Sequence, residues 1–315
     1  MTSAARRPIL HRRPSAAAAV AVTAALLLSG CGSGDGASST AKAPEPGANL
    51  NTLLPDTLQR TGVLRIGADL SYAPIGFKAA GGRPDGMDVD LAQALGQALG
   101  VQVQFVDAPF DKLMRGLQAS QFDVVMSGMT DNAQRRDGAD DEGQKSGPGV
   151  DFVDYFITGS SIVVSQGNPQ KIGSLDDLCG RTVALQKGTI QATLADRQNQ
   201  ACEKVHKKLT VRTTATDDEA LALVAQGKAA ADLSDAPVAA LAAKEGRGGA
   251  RFQLTGDQLS QAPYGIAVLK TDTALRDALA RALDRVIRSG DYEKILAKWG
   301  LSAGAAQNAV VNGGF

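Results

Sequence analysis

The residues best suited to hold a small polar molecule sit in four turns, each directly after an apolar or β-branched run. Asp69 ends VLRIGAD (63–69), and Ser127, Gly128 and Thr130 lie at the end of FDVVMSGMT (122–130). The segment 187–191, which contains Lys187 and Thr189, follows RTVALQ, and Ser234 and Asp235 end AADLSD (230–235). Layered α/β proteins bind ligands where strand ends meet loops and helix N-termini. A binding site is therefore expected at these turns. Metal and acid–base chemistry find less support. His206 is the only histidine after residue 30, it lies at a charged helix end, and no set of ligating residues surrounds it. No metal site, no cofactor and no catalytic residue is expected.

Three cysteines have to be sorted, and the N-terminal segment sorts the first. Arg6, Arg7, Arg12 and Arg13 precede a small, apolar run over 16–28 that is too short to span a bilayer. The run ends in LLLSGC, which resembles the bacterial lipobox, where the signal is cut before the cysteine and that cysteine is lipidated. The resemblance implies a signal peptide over 1–30 and a lipidated Cys31. The other reading is an ordinary secretory signal with a chance cysteine. Pro14 and Ser15, after the Arg12-Arg13 pair, fit a twin-arginine signal poorly. Residues 32–48 are mostly Gly, Ser, Ala, Thr and Pro with no large apolar side chain, so they cannot bury enough surface to offset ordering entropy. A flexible tether over 31–55 is expected, holding an exported protein to the outer face of the cell membrane through its lipid anchor. Cys179 and Cys202 then remain as an even pair in an oxidising compartment. A disulfide between them would close a loop of 24 residues counted inclusively. By chain entropy that constrains the unfolded state by about 3 kcal/mol. Two unpaired buried thiols are the alternative.

Charge narrows the partners. The chain has 33 basic and 33 acidic residues; losing the four signal arginines leaves 29 against 33, near −4. Without a basic excess, nucleic acid is not an expected partner, and a monomer is expected.

The elements that must position the four turns alternate strand and helix. VLRIGAD (63–69), VQVQFVDA (101–108) and FDVVMSGMT (122–130) read as strands. Between them, 87–100 places Val89, Leu91, Ala92, Leu95 and Leu99 at helical spacing with Gly100 as a stop, and 110–120 is a second helix. The charged, Gly-rich stretch 136–149 reads as a surface insertion. A second strand–helix series follows, with strands at 160–166, 181–189, 209–216 and 230–235 and helices at 217–228 and 236–246. One more strand, 264–270, precedes two helices within 272–300 that break at Ser289-Gly290. The fold class is α/β, two parallel layered units with a cleft between them.

Seven segments, with the lipobox, carry a further resemblance: IGADLSYAPIGF (66–77), GMDVDLAQALG (86–96), FDKLMRGLQASQFDVVMSGMTDNAQRR (110–136), DFVDYF (151–156), VALQKGTIQ (183–191), AADLSDAPVAA (230–240) and DYEKILAKWG (291–300). Together they are similar to the polar amino-acid-binding family of ABC-transporter extracellular solute-binding proteins, family 3. The resemblance spans nearly all of 62–301. It implies the type II periplasmic-binding-protein fold: two Rossmann-like lobes joined by two crossover strands, closing like a Venus flytrap. The crossovers should fall near 156–160 and 262–266. Lobe 1 is expected over 56–157 and 265–303, lobe 2 over 158–264, and a C-terminal tail over 304–315.

By match to the family's motifs, Arg135 clamps the ligand α-carboxylate, helped by Ser127, Gly128 and Thr130, with Thr189 as a further donor from lobe 2. Asp235 matches the acid that takes the α-ammonium. Tyr72 and Phe110 match the aromatics that sandwich the ligand side chain, and Asp69 an acid some relatives use for basic side chains. The chemistry agrees with these roles. Burying a zwitterion requires a counter-charge at each end, and a guanidinium fork suits a carboxylate. The ordinary readings are a surface charge for Arg135, a helix N-cap for Asp235 and core packing for the two aromatics. Lys187 is either a counter-charge for an acidic ligand or a solvated cation. Trp299 is expected to pack the final helix onto lobe 1. The sequence departs from the family at Ile75, Gly76, Gly128 and Ile190, which bears on the side-chain end of the pocket, and its 136–149 stretch is longer than usual.

The resemblance implies an importer's binding subunit whose partners are an amino-acid-like ligand, a permease and an ATPase. A ligand-sensing surface protein and a dehydratase-like enzyme on the same fold are the competing functions.

Overall fold

The computed structural model describes residues 49–139, 145 and 147–315. The signal peptide, Cys31 and most of the expected tether lie outside them, as does part of the 136–149 stretch. The described chain opens with a 3-10 turn (Leu50–Leu53) and helix α1 (Asp56–Thr61). Then come β1 (Val63–Ala68), a small sheet of β2 (Ser71–Tyr72), β3 (Gly76–Lys78) and β4 (Pro84–Asp85), helix α2 (Met87–Leu99), β5 (Gln102–Asp107), α3 (Phe110–Gln118), β6 (Val124–Val125) and the one-turn α4 (Ala133–Arg136). Strand β7 (Val150–Ser165) leads to β8 (Thr182–Gln186), α5 (Ile190–Lys204), β9 (Thr210–Thr214), α6 (Asp217–Ala225), β10 (Ala231–Asp235) and α7 (Ala236–Glu245). The chain returns through β11 (Phe252–Leu269) to α8 (Thr273–Arg288), α9 (Asp291–Trp299) and β12 (Ala305–Val311).

The main sheet runs β5-β1-β6-β11-β7-β10-β8-β9, with β12 also on β7. In the first half β5, β1 and β6 are parallel, and in the second half β10, β8 and β9 are parallel. The antiparallel pair β7 and β11 joins them, in register from Phe252 opposite Ser165 to Leu269 opposite Val150. Each half has its own core. Phe152, Val153, Tyr155 and Phe156 of β7 pack in the first, and Ile162, Val163 and Val164 in the second. Between them Ile157 is 50% exposed, and β11 shifts register at Thr255/Leu259, Leu259/Ala262 and Tyr264/Gly265. The two cores are thus connected by a pair of strands that neither core fully grips.

Helix α2 forms as its spacing requires. Leu91, Ala92, Leu95 and Leu99 are buried, and left-handed Gly100 ends it. Trp299 docks α9 on the first half: its ring meets Phe77 edge-on at 5.9 Å, and its indole N–H donates to Asp90 at 2.7 Å. Cys179 and Cys202 form a disulfide with Cα atoms 5.2 Å apart, tying the strand-ward side of β8 to the end of α5.

Four expectations need correction. The tether does not extend to residue 55, because Leu50 and Leu54 are buried in the first core. Residues 304–315 are not a tail apart from the lobes, because β12 pairs with β7 and α8 covers the Ala309 N–H through Asp284. The strand expected over 122–130 is only Val124–Val125, since the segment must turn to form the cavity wall. The strands at 160–166 and 264–270 are the ends of the much longer β7 and β11, whose internal Asp, Gly and Gln residues hide the run.

Candidate ligand-binding site

Helix α4 is a single turn whose N-cap, Asn132, accepts the Arg135 N–H at 2.9 Å. That cap turns Arg135 inward, where only 2% of it is exposed. One guanidinium nitrogen donates to the Thr130 carbonyl at 2.8 Å, and another reaches the Gly188 carbonyl of the second half at 3.0 Å. The guanidinium carbon sits 5.5 Å above the Phe110 ring, within cation–π range.

Asp235 ends β10 and stands at the N-cap of α7, yet its side chain makes no capping bond. Its carboxylate instead accepts the Tyr72 hydroxyl at 3.0 Å and the Gln191 amide at 2.8 Å. Burial pushes this carboxyl above its ordinary range, opposed by the hydrogen bonds it receives and by the Arg135 charge.

Of the nine residues expected to meet a ligand, seven line one cavity between the halves: Arg135, Asp235, Tyr72, Phe110, Gly128, Thr130 and Thr189. Ser127 and Asp69 stand behind that wall. The Ser127 hydroxyl accepts the Asp69 N–H at 2.9 Å. The Asp69 carboxylate accepts Ser71 at 2.6 Å and, across the cleft, the Gln186 amide at 2.7 Å. Burial raises the Asp69 pKa against these bonds. Thr189 is the N-cap residue of α5, whose first N–H groups lack intrahelical partners by construction and favour an anion. Its own hydroxyl donates to the Gln186 carbonyl at 2.8 Å.

Three wall residues were not among those nine. Gln186, Ile190 and Gln191 come from VALQKGTIQ, so the turn was signalled although the amides were not. Asp88 was missed outright. Buried in the first turn of α2, it accepts the Gly128 N–H at 2.8 Å and the Tyr155 hydroxyl at 2.7 Å. Burial raises its pKa to about 7. Gly128 itself has φ 56°, and a Cβ there would lie 3.2 Å from Ile75 and 3.4 Å from Tyr264. Ile75 thus fills part of the space that a side chain at position 128 would need.

The halves are drawn together. Tyr72 to Asp235, Asp69 to Gln186 and Arg135 to Gly188 all cross the cleft, and only about 10 Å³ between them is open to the centre of a water molecule. Lys187 also crosses, reaching Asp111 at 3.2 Å, but half exposed, as a solvated pair. A larger groove of about 780 Å³ lies between β3, α7 and the end of α9. Its charges are mixed and mostly exposed, whereas the small cavity gathers a buried cation, a buried anion and a helix N-terminus. Among the described residues no group of three or more His, Cys, Asp or Glu could hold a metal ion.

Two α/β halves hinged on a crossover pair, with opposite charges from each half at one cavity, define a binding protein of the type II periplasmic fold. The chain belongs to the bacterial extracellular solute-binding proteins, family 3, whose model matches residues 64–302. It is 31% identical over 271 residues to the arginine-binding protein ArgT of Corynebacterium glutamicum, covering 85% of this chain and 84% of the relative. An ancestral arginine-binding protein bound to arginine superposes with a TM-score of 0.67 at 33% identity, over 76% of this chain and 98% of the other. The ancestral amino acid-binding protein AncCDT-1, described as a precursor of cyclohexadienyl dehydratase, gives 0.65 at 34% identity, over 79% and 99%. Membership in this family makes it an extracellular solute-binding protein.

Proposed function

We propose that the protein is the extracellular capture subunit of an ABC importer and that it binds a basic amino acid, with arginine the first candidate. The observation that carries the reading is that Arg135 and Asp235, from opposite halves, line one buried cavity. In it the Arg135 fork takes the α-carboxylate, with Thr130, Gly128 and the start of α5 around it. Asp235 takes the α-ammonium. Tyr72 and Phe110 flank the side chain, and Gln186, backed by the Asp69 carboxylate behind the wall, faces its cationic end. Neither half holds both charges, so the ligand stabilises the closed form by its differential affinity for it. Opening must break the direct cross-cleft bonds, and the ligand replaces them. The arginine-binding relatives support the choice of ligand.

The relatives it resembles are binding proteins, and the protein is read as a binder that releases its ligand unchanged to a permease. The lipobox-like sequence supports a membrane anchor at Cys31. A thermal-shift screen of the twenty amino acids tests the reading. A midpoint raised by arginine or lysine supports it, and no shift with any of them refutes it.

A further inference from the structure

The turn that carries Arg135 cannot hold itself. Helix α4 has four residues, and a single hydrogen-bonded turn does not survive alone in water. Residues 312–315 grip it from outside. The Phe315 carbonyl accepts the Ala133 N–H at 2.7 Å, filling one of the first-turn donors that a helix leaves open. The Gly314 N–H donates to the buried Asp131 carboxylate at 2.8 Å, just ahead of the Asn132 cap. Arg136, the last residue of α4, bonds both Asp131 oxygens at 2.9 and 3.0 Å and reaches the Asn312 and Phe315 carbonyls at 3.4 and 3.2 Å.

The other end of this grip is anchored in the sheet. Asn312 pairs with Phe152 of β7 in both directions, its N–H donating to the Phe152 carbonyl at 3.0 Å and its side-chain oxygen accepting the Phe152 N–H at 2.8 Å. Its amide also donates to Asp151 at 2.9 Å, and the Gly313 N–H donates to Asp154 at 2.8 Å. The paired glycines allow this approach. A Cβ at Gly314 would overlap the Asp131 carbonyl, and one at Gly313 would lie 2.8 Å from Val310 and 2.9 Å from Asp154. The family match ends at residue 302, so this brace lies outside the matched region.

We propose that residues 312–315 are a positioning strap for Arg135, fixing the one-turn helix against β7 so that the guanidinium stands ready at the carboxylate end of the cavity. The inference rests on the reading of Arg135 as the carboxylate clamp. Two full-length variants test it. Gly314→Val drives a side chain into Asp131, and Asn312→Ala keeps the glycines but frees the strap from β7. Hydrogen exchange over Ala133–Arg136 reports on the turn whether or not a ligand is present. Exchange there should quicken at least tenfold in each variant that folds, with the second half unchanged. Calorimetry with L-arginine reports the consequence: affinity should fall about tenfold, and the loss should vanish when Arg135→Ala is already present. Unchanged exchange at α4 overturns the strap, as does an equal affinity loss in both backgrounds. If the parent protein binds no amino acid, the ligand reading fails, and the exchange result still decides whether the strap fixes the turn.

Discussion

The Tyr72 hydroxyl, from the first half, donates to the Asp235 carboxylate of the second at 3.0 Å and accepts the Asp235 N–H at the same distance. One phenol thus occupies both polar groups of a residue that would otherwise cap α7. The anion is satisfied within the protein, with Gln191 as its second donor. A ligand ammonium must join or replace that bond, and Asp235 should matter by its charge more than by its shape. Asp235→Asn should weaken binding of the cognate amino acid roughly a hundredfold, about 3 kcal/mol, by calorimetry. Tyr72→Phe, which keeps the ring, should cost no more than about tenfold.

Arg135 offers a sharper substitution than alanine. Arg135→Lys keeps the charge but loses the fork that spans the Thr130 and Gly188 carbonyls. Affinity should fall at least about tenfold, because a lysine is a point charge and cannot make two parallel bonds to a carboxylate. Equal affinity in the lysine variant would mean that the carboxylate is held elsewhere.

Stability should decline as pH rises from about 4 towards 7. Asp88 and Asp154 have pKa values raised by burial from 3.8 to about 7, and Asp154 is raised further by neighbouring Asp131. A carboxyl raised in the folded state holds its proton longer than in the unfolded chain. Its stabilising contribution is complete near pH 4 and is lost as pH climbs through 7. Asp111, Asp151 and Asp291 are lowered and act oppositely, but only below about pH 4. Melting temperature measured from pH 4 to 8 should fall, and Asp88→Asn should flatten the slope.

Reduction of the Cys179–Cys202 bond should lower the melting temperature. Freeing a loop with a sequence separation of 23 removes about 3 kcal/mol of constraint on the unfolded chain. For a domain of this size that corresponds to roughly 6 °C. A melt unchanged under full reduction would contradict it.

Gly128→Ser should destabilise this chain by about 1–2 kcal/mol, because a side chain is placed at φ 56°. Part of the cost is steric, since Ile75 lies 3.2 Å from the new Cβ. With Ile75→Ala already present, the added cost of Gly128→Ser should shrink by that part.

What the sequence revealed and hid has a common cause. Helix α2 was legible because Leu91, Leu95 and Leu99 repeat at its own period and Gly100 stops it. The parallel strands were legible because their apolar runs end at turns. The long β7 was hidden because Asp151, Asp154 and Gly159 interrupt it, and only pairing with β11 and β12 makes one strand of it. Strand β12 reads as a weak tail until β7 is there to receive it. At the site, Arg135 and Asp235 were found through motif resemblance. Asp88 and Gln191 were not, because their roles are bonds to Gly128 and Asp235, set by tertiary approach rather than by spacing.

The pairing of the Arg135 guanidinium with the ligand α-carboxylate is reached most directly by paired titrations. Calorimetry should compare L-arginine with agmatine, which lacks only the α-carboxylate, in the parent protein and in Arg135→Ala. The parent should prefer arginine by about a hundredfold, and the variant should bind the two within a few-fold of each other. A preference that survives the loss of Arg135 would contradict the assignment.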